Sequence, residues 1–322
     1  MSKARVVTLG ETMVLFQTMQ DGSIKYAPML GKTLGGAESN VAIGLSRLGV
    51  PARWISKLGT DPFGDYILST LKGEDVEVEA IRDQQNPTGL MFKEVKGESD
   101  PNVYYYRKAS AASIWNHNDL NTDFFQGCEL FHFTGITPAL SETSKEMIFR
   151  AVDMAKASGL TISFDPNMRY KLWSEEEART TFLELVKRSD IVLPGVEEGE
   201  LITGKSHPDE IAADLINMGV GIVVLKQGPE GSSLYHKKAN GEIEKVFQAG
   251  FPVNRVIDSV GAGDGFAAGF LSGFLEHLSY QECLERANAV GAMVTQYRGD
   301  WEGLPSIEEV KGFITGKSDI TR

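Results

Sequence analysis

Short apolar runs in the middle of the chain, each followed by helical signals, constrain the fold more tightly than any other feature. The runs are Leu130-Phe131-His132-Phe133, Leu160-Thr161-Ile162-Ser163-Phe164, Ile191-Val192-Leu193 and Gly221-Ile222-Val223-Val224-Leu225. Near-continuous apolar strands have no solvent face, so helices must cover both sides of the sheet they form. Ser141 stands as the N-cap of a helix ending near Gly159, and Ser174 with Glu177 three residues on makes a capping box. The pattern is an α/β doubly wound architecture around a parallel sheet. Two segments break the rhythm. Residues 13–34 and 87–113 are strand-like and turn-rich, and residues 88–93 are expected to pair with 102–107 across a polar turn at 96–101. Between them, residues 39–48 place Val41, Leu45 and Leu48 on one helix face. The expected organisation is a body of residues 1–12, 34–86 and 114–322 carrying a small β-sheet lid of 13–33 and 87–113. Inserted sheets of this kind close over sites to exclude water.

A chain of 322 residues, 42% hydrophobic, can bury a full core, and its net charge of −12 argues against nucleic acid or an anionic membrane surface as partner. An anionic substrate therefore needs a local cluster of Lys and Arg set against the global field. The apolar run Val6-Val7-Thr8-Leu9 is too short for a signal-peptide core, and no stretch approaches the ~18 apolar residues of a membrane span. Cys128 and Cys283 lie far apart with no ligand pattern around them, as expected of buried thiols in a cytoplasmic protein.

Several motifs are decoys. Residues 199–206 fit the literal P-loop pattern G-x-x-x-x-G-K-S. A P-loop needs irregular backbone wrapped around phosphates, whereas residues 197–203 read as a helix stopped by Gly204, with Glu200 placed to repel an anion. Gly261-Ala262-Gly263-Asp264-Gly265-Phe266 lacks the third glycine of a dinucleotide fingerprint and comes late in the chain. His132 lies inside an apolar strand, and His117, His207, His236 and His277 stand alone. No metal-ligand spacing occurs among them.

The stretch Asp258-Ser259-Val260-Gly261-Ala262-Gly263-Asp264 precedes a strongly apolar helix over residues 266–275. Small residues before a helix N-terminus allow close backbone approach, and the unpaired N–H groups there favour an anion. Asp264 is either a proton acceptor beside that anion hole or simply a capping residue. The chain resembles the PfkB (ribokinase-like) carbohydrate kinases at four places. Residues 258–264 are similar to the family's D-[ST]-x-G-A-G-D signature, and Gly35-Gly36-Ala37-Glu38-Ser39-Asn40 to its N-terminal di-glycine segment. Lys226-Gln227-Gly228-Pro229-Glu230-Gly231 resembles its nucleotide strand-turn, and Asp165-Pro166-Asn167-Met168-Arg169 its D-x-N-x-R segment. The resemblance implies a ribokinase-like fold, with a Rossmann-like body and β-sheet lid, and ATP with Mg²⁺ as cofactors. It makes Asp264 the general base and the backbone of Gly261, Ala262 and Gly263 the stabiliser of the transferring phosphoryl. Nucleotide contacts would come from Asn167, Arg169, residues 226–231, residues 261–264 and Asn288. The family's N-x-x-E motif is represented by Gly195-Val196-Glu197-Glu198, so its Asn is missing and Glu198 remains as indirect support for the metal.

For the substrate, Tyr104-Tyr105-Tyr106-Arg107-Lys108-Ala109-Ser110 and Arg298-Gly299-Asp300-Trp301-Glu302-Gly303 resemble segments of the 2-keto-3-deoxygluconate kinases within that family. A sugar acid carries a carboxylate, which Arg matches with paired charge-assisted hydrogen bonds. Arg107 and Arg169 are the candidates, with Arg169 alternatively serving phosphates. Gly36, Ala37, Glu38, Ser39, Asn40, Tyr105, Tyr106 and Asp300 would complete the sugar site. The expected reaction is phosphorylation at C6. A fructokinase-like enzyme and a non-catalytic sugar-acid-binding regulator are the alternatives. Lids of this family commonly pair between subunits, which implies a homo-oligomer.

Overall fold

The computed structural model describes residues 3–96 and 99–316. In chain order the strands begin with β1 (Val6–Leu9), β2 (Met13–Thr18), β3 (Leu30–Gly35), β4 (Ala52–Gly59), β5 (Glu77–Asp83), β6 (Leu90–Lys96) and β7 (Ser99–Tyr106). They continue with β8 (Leu130–Thr134), β9 (Thr161–Asp165), β10 (Ile191–Val192), β11 (Ile222–Lys226), β12 (Gly231–Lys237) and β13 (Ile243–Ala249). The helices are α1 (Ala37–Arg47), α2 (Pro62–Gly73), α3 (Glu142–Ala157), α4 (Glu175–Val186), α5 (Val196–Thr203), α6 (Pro208–Asn217), α7 (Ala262–Leu275), α8 (Tyr280–Val294) and α9 (Ile307–Thr315). Nine strands form one sheet in the order β13-β12-β11-β10-β9-β8-β1-β4-β5, and four form a second, β3-β2-β6-β7.

The expected strands and caps are present. Ser141 caps α3, and Ser174 and Glu177 form the capping box of α4. Strands β5 to β11 of the large sheet pair in parallel throughout. The edge departs from the all-parallel expectation, because β12 and β13 are antiparallel. The turn at Gly228–Glu230 sends the chain straight back, leaving no room for a crossover helix. Strand β13 alternates exposed and half-buried residues, as befits an edge.

Both faces of the large sheet are covered. Strand residues Val6, Trp54 and Leu130 join α1, α2, α7 and α8 in one apolar cluster, while Val7, Ile55 and Phe131 join α3 to α6 in another. Phe133 stacks between Phe131 (5.3 Å) and Phe164 (5.0 Å), binding three strand positions into one aromatic row. Truncating so central a ring to Ala typically costs about 3–5 kcal/mol.

The small sheet is mixed, with β2 and β6 parallel and the other pairs antiparallel. Gly97 and Glu98 of the expected turn lie outside the described residues. Helix α1 starts two residues earlier than its apolar pattern suggested, at Ala37. Gly36 is its N-cap, and a side chain there would overlap the Glu11 carbonyl. Only glycine lets the lid strand β3 turn into α1 so close to the chain after β1.

Candidate active site

A cavity of about 1140 Å³ lies between the lid sheet and the C-terminal ends of β9 and β11, the end where open α/β sheets bind ligands. Alternation along the lid strands decides what reaches it. Met13 and Leu15, Met91 and Lys93, and Val103 and Tyr105 line the cavity in pairs two residues apart. Tyr106 therefore points to the opposite lid face, where it packs edge-on against Phe92 (5.4 Å) and is 67% exposed. The expectation that Tyr106 binds sugar is corrected by this alternation.

Asp264 sits in the first turn of α7, buried. Asn40 Nδ2 donates to its Oδ2 (2.8 Å) and Asn167 Nδ2 to its Oδ1 (3.4 Å). Burial pushes the carboxyl up to about 7; the Asn40 hydrogen bond and Arg169 oppose the shift, while Asp165 and Glu38 add to it. A base poised there can take a proton near neutrality. Gly261 caps α7 at φ 81°, a conformation suited to glycine, and a side chain on it would overlap the Asp300 carbonyl. Gly261 and Gly263 line the cavity. Ala262 does not; its N–H donates to the Ser259 carbonyl (3.3 Å), which removes it from the three donors expected of an anion hole.

On the wall formed by β9 and β11, Lys226 at the end of β11 donates to Asp165 Oδ2 (2.7 Å). Burial alone would lower the Lys226 ammonium, but Asp165 and Glu198 outweigh it and hold its pKa above the usual value. Gln227, Gly228 and Glu230 reach the cavity wall, whereas Pro229 and Gly231 shape the turn behind it. Asn167 adopts φ 41°, a left-handed conformation that Asn tolerates, and Arg169 faces the same space. Asn288 lies off the wall, its Nδ2 donating to the Gln248 carbonyl (3.1 Å). Glu198 faces the cavity while accepting from the N–H groups of Met168 and Gly195 (both 2.8 Å).

The di-glycine segment divides. Gly36, Ala37 and Asn40 face the cavity. Glu38 instead faces the sheet, accepting from the Thr134 hydroxyl (2.7 Å) and N–H (3.1 Å), and burial pushes its carboxyl up to about 7. The Ser39 hydroxyl is taken by Thr12 (2.8 Å) and the Gly36 carbonyl (2.9 Å). Both are therefore corrected from sugar ligands to supports of the α1 start; in a helix only one face can look into a site. Arg107 lines the cavity but its guanidinium is paired with Glu11, which also accepts from Ser110 Oγ (2.9 Å). Asp300 lines the cavity too; burial pushes its carboxyl up to about 7, with Lys93 opposing. Glu11 and Lys93 went unread in the sequence. The signal for Lys93 is a charge two residues after Met91, on the cavity-facing period of β6.

The chain belongs to the pfkB family carbohydrate kinases, whose profile matches residues 3–307. It is 42% identical to 2-dehydro-3-deoxygluconokinase of Bacillus subtilis over 99% of this chain and 98% of that protein. It is 33% identical to probable fructokinase-6 of Arabidopsis thaliana over 95% of this chain and 81% of that one. An Escherichia coli structure described as a ribokinase II, in complex with ATP and Mg²⁺, superposes with a TM-score of 0.89 at 28% identity, covering 98% of this chain and all of that one (100%). Among the described residues, no helix is long and apolar enough to cross a membrane.

Proposed function

We propose that this chain transfers the γ-phosphoryl group of ATP to the C6 hydroxyl of 2-keto-3-deoxygluconate (2-dehydro-3-deoxygluconate), giving the 6-phosphate. The observation that carries the reading is Asp264, fixed by Asn40 and Asn167 at the N-terminus of α7 inside the cavity. Asp264 takes the hydroxyl proton as the sugar oxygen attacks phosphorus, and the N–H groups of Gly261 and Gly263 meet the charge on the transferring phosphoryl. Lys226 and the turn after it serve the nucleotide, with Arg169 available to its phosphates. Among the described residues no group of three His, Cys, Asp or Glu could hold a metal by itself. Glu198, which faces the cavity, would give water-mediated support to a Mg²⁺ carried by the nucleotide. When bound, the ion neutralises charge between the β- and γ-phosphates.

The sugar-acid choice is supported by the identity to the Bacillus subtilis kinase and by Arg107, which extends from the lid into the cavity. Arg107 is paired with Glu11, so a substrate carboxylate would share or replace that partner. The identity to plant fructokinases favours a neutral ketohexose as the second reading. A coupled ADP assay over a panel of sugar acids and neutral sugars decides between them. Turnover of the keto-acid above all neutral sugars is expected, fructose preference overturns the substrate, and no sugar-dependent ADP release leaves a non-catalytic binding protein. The working protein is a cytoplasmic homo-oligomer in this reading.

A further inference from the structure

Lys93 is the one side chain through which the lid sheet reaches the phosphoryl end of the cavity by charge among the described residues. It belongs to β6, yet its Nζ pairs with Asp258 and lies 3.8 Å from Asp300 Oδ1. The three side chains are nearly sealed, at 2%, 8% and 10% exposed. Asp258 braces the glycine loop through its carboxylate, and Asp300 through its main chain. Asp258 Oδ1 accepts from the Val260 N–H (3.2 Å) and its Oδ2 from the Gly299 N–H (3.4 Å), so it ties the loop before α7 to the segment before Asp300. The Asp300 carbonyl lies directly against Gly261, and its carboxylate lies against Gly35.

We propose that Lys93 is a positioning residue: its lid-borne ammonium clamps Asp258 and Asp300 together and so sets the Gly261 and Gly263 N–H groups when the lid is down. Without that cation two carboxylates face each other with little water between them, and repulsion opens the loop. A displaced anion hole slows chemistry without weakening ground-state binding, because its donors are aimed at charge that develops only in transfer. The clamp makes phosphoryl transfer conditional on lid closure and rests on the kinase reading above.

The test is Lys93→Ala, assayed with whichever sugar the wild type phosphorylates best. A misplacement of about 1 Å costs on the order of 10²-fold, so kcat should fall ~10–100-fold. KM for ATP and sugar should stay within about threefold, the split that marks a transition-state interaction. Methylammonium chloride, entering the space the side chain vacates, should restore much of the lost kcat while leaving the wild type unchanged. Hydrogen exchange of the 258–263 backbone, which requires no turnover, should speed up at least ~10-fold in the variant while the β8 and β9 amides stay protected. If Lys93→Ala does not fold, Lys93→Met keeps the bulk of the side chain without its charge, leaves both carboxylates in place, and should show the same loss of kcat and the same faster exchange. Turnover within threefold of wild type, a folded Lys93→Ala that no amine revives, or unchanged exchange at 258–263 overturns the clamp. A wild type that phosphorylates a different sugar changes the proposed substrate and leaves these outcomes readable.

Discussion

Burial raises the Asp264 carboxyl to about 7, with the Asn40 hydrogen bond and Arg169 opposing and the charges of Asp165 and Glu38 adding to the shift. The value of about 7 belongs to the free protein, so kcat/KM should fall along a limb centred near pH 7 as the base becomes protonated. Asp264→Asn should lose that limb and ~10²–10⁴ in kcat while sugar affinity changes little. Turnover within threefold of wild type would place the base elsewhere. The same shift bears on stability. Its folded pKa lies above the unfolded value near 3.8, so its contribution is fully present below that pH and is lost as pH rises to about 7. Asp264→Asn should therefore melt higher than wild type at pH 8, with the gain vanishing near pH 4 in the same thermal scan. An equal difference at both pH values would show that burial of this charge is not what destabilises the site. Much of this residue set was legible: Asp264, Asn40 and Lys226 stand in short ordered motifs. Glu38, Ser39 and Tyr106 were misread because a motif gives position along the chain but not side-chain direction. The helix and strand periods that would have turned them away from the cavity were already in the sequence.

At the scale of elements, caps and apolar runs announced the strands and helices of the body. The β12–β13 hairpin was not legible, because both strands mix polar and apolar residues and neither carries the apolar run that marks β8 to β11. Helix α5 shows the converse, a strong motif that is only local structure. It runs to Thr203 and ends on left-handed Gly204 (φ 75°), so no loop is free to wrap phosphate, and Lys205 lies beyond it, exposed. Lys205→Ala should leave ATP affinity unchanged and alter stability by under ~0.5 kcal/mol. Tenfold weaker ATP binding in a folded variant would restore the phosphate-loop reading. The lid carries a second prediction. Hydrogen bonds to charged groups contribute roughly 1.5–3 kcal/mol each. Arg107→Ala should thus lower kcat/KM for the keto-acid by ~10²–10³ and hardly touch a neutral ketohexose. A lid that merely fails to close, or a Glu11 left without its partner, slows both substrates equally, and equal losses would remove Arg107 from the carboxylate.

At the scale of the whole molecule, the outer face of the small sheet is an aromatic surface that the fold leaves partly uncovered. Register partners share a face, so Phe16, Phe92 and Tyr104 lie together on the lid, as do Leu90 and Tyr106 beside them, all turned from the cavity. Phe16 stacks on Phe92 at 5.4 Å, yet Leu30, Tyr104 and Tyr106 remain 37%, 44% and 67% exposed. An aromatic face of this kind on a sheet of only four strands is expected to be covered by another copy of itself. A two-fold axis would suit it, because the same patch then serves both subunits. The assembly should sediment at no less than twice the 35.2 kDa chain mass at micromolar concentration. Replacing Tyr104 and Tyr106 with Lys places charges where apolar contact is required, and should return the protein to the monomer mass. The cavity face keeps Tyr105 and Lys93, so any loss of activity in that variant reports on the lid losing its outer support. Lowered kcat with the monomer mass would tie oligomerisation to lid closure. A wild type that sediments as a monomer throughout the micromolar range would sink the homo-oligomer and leave the exposed tyrosines without a partner copy.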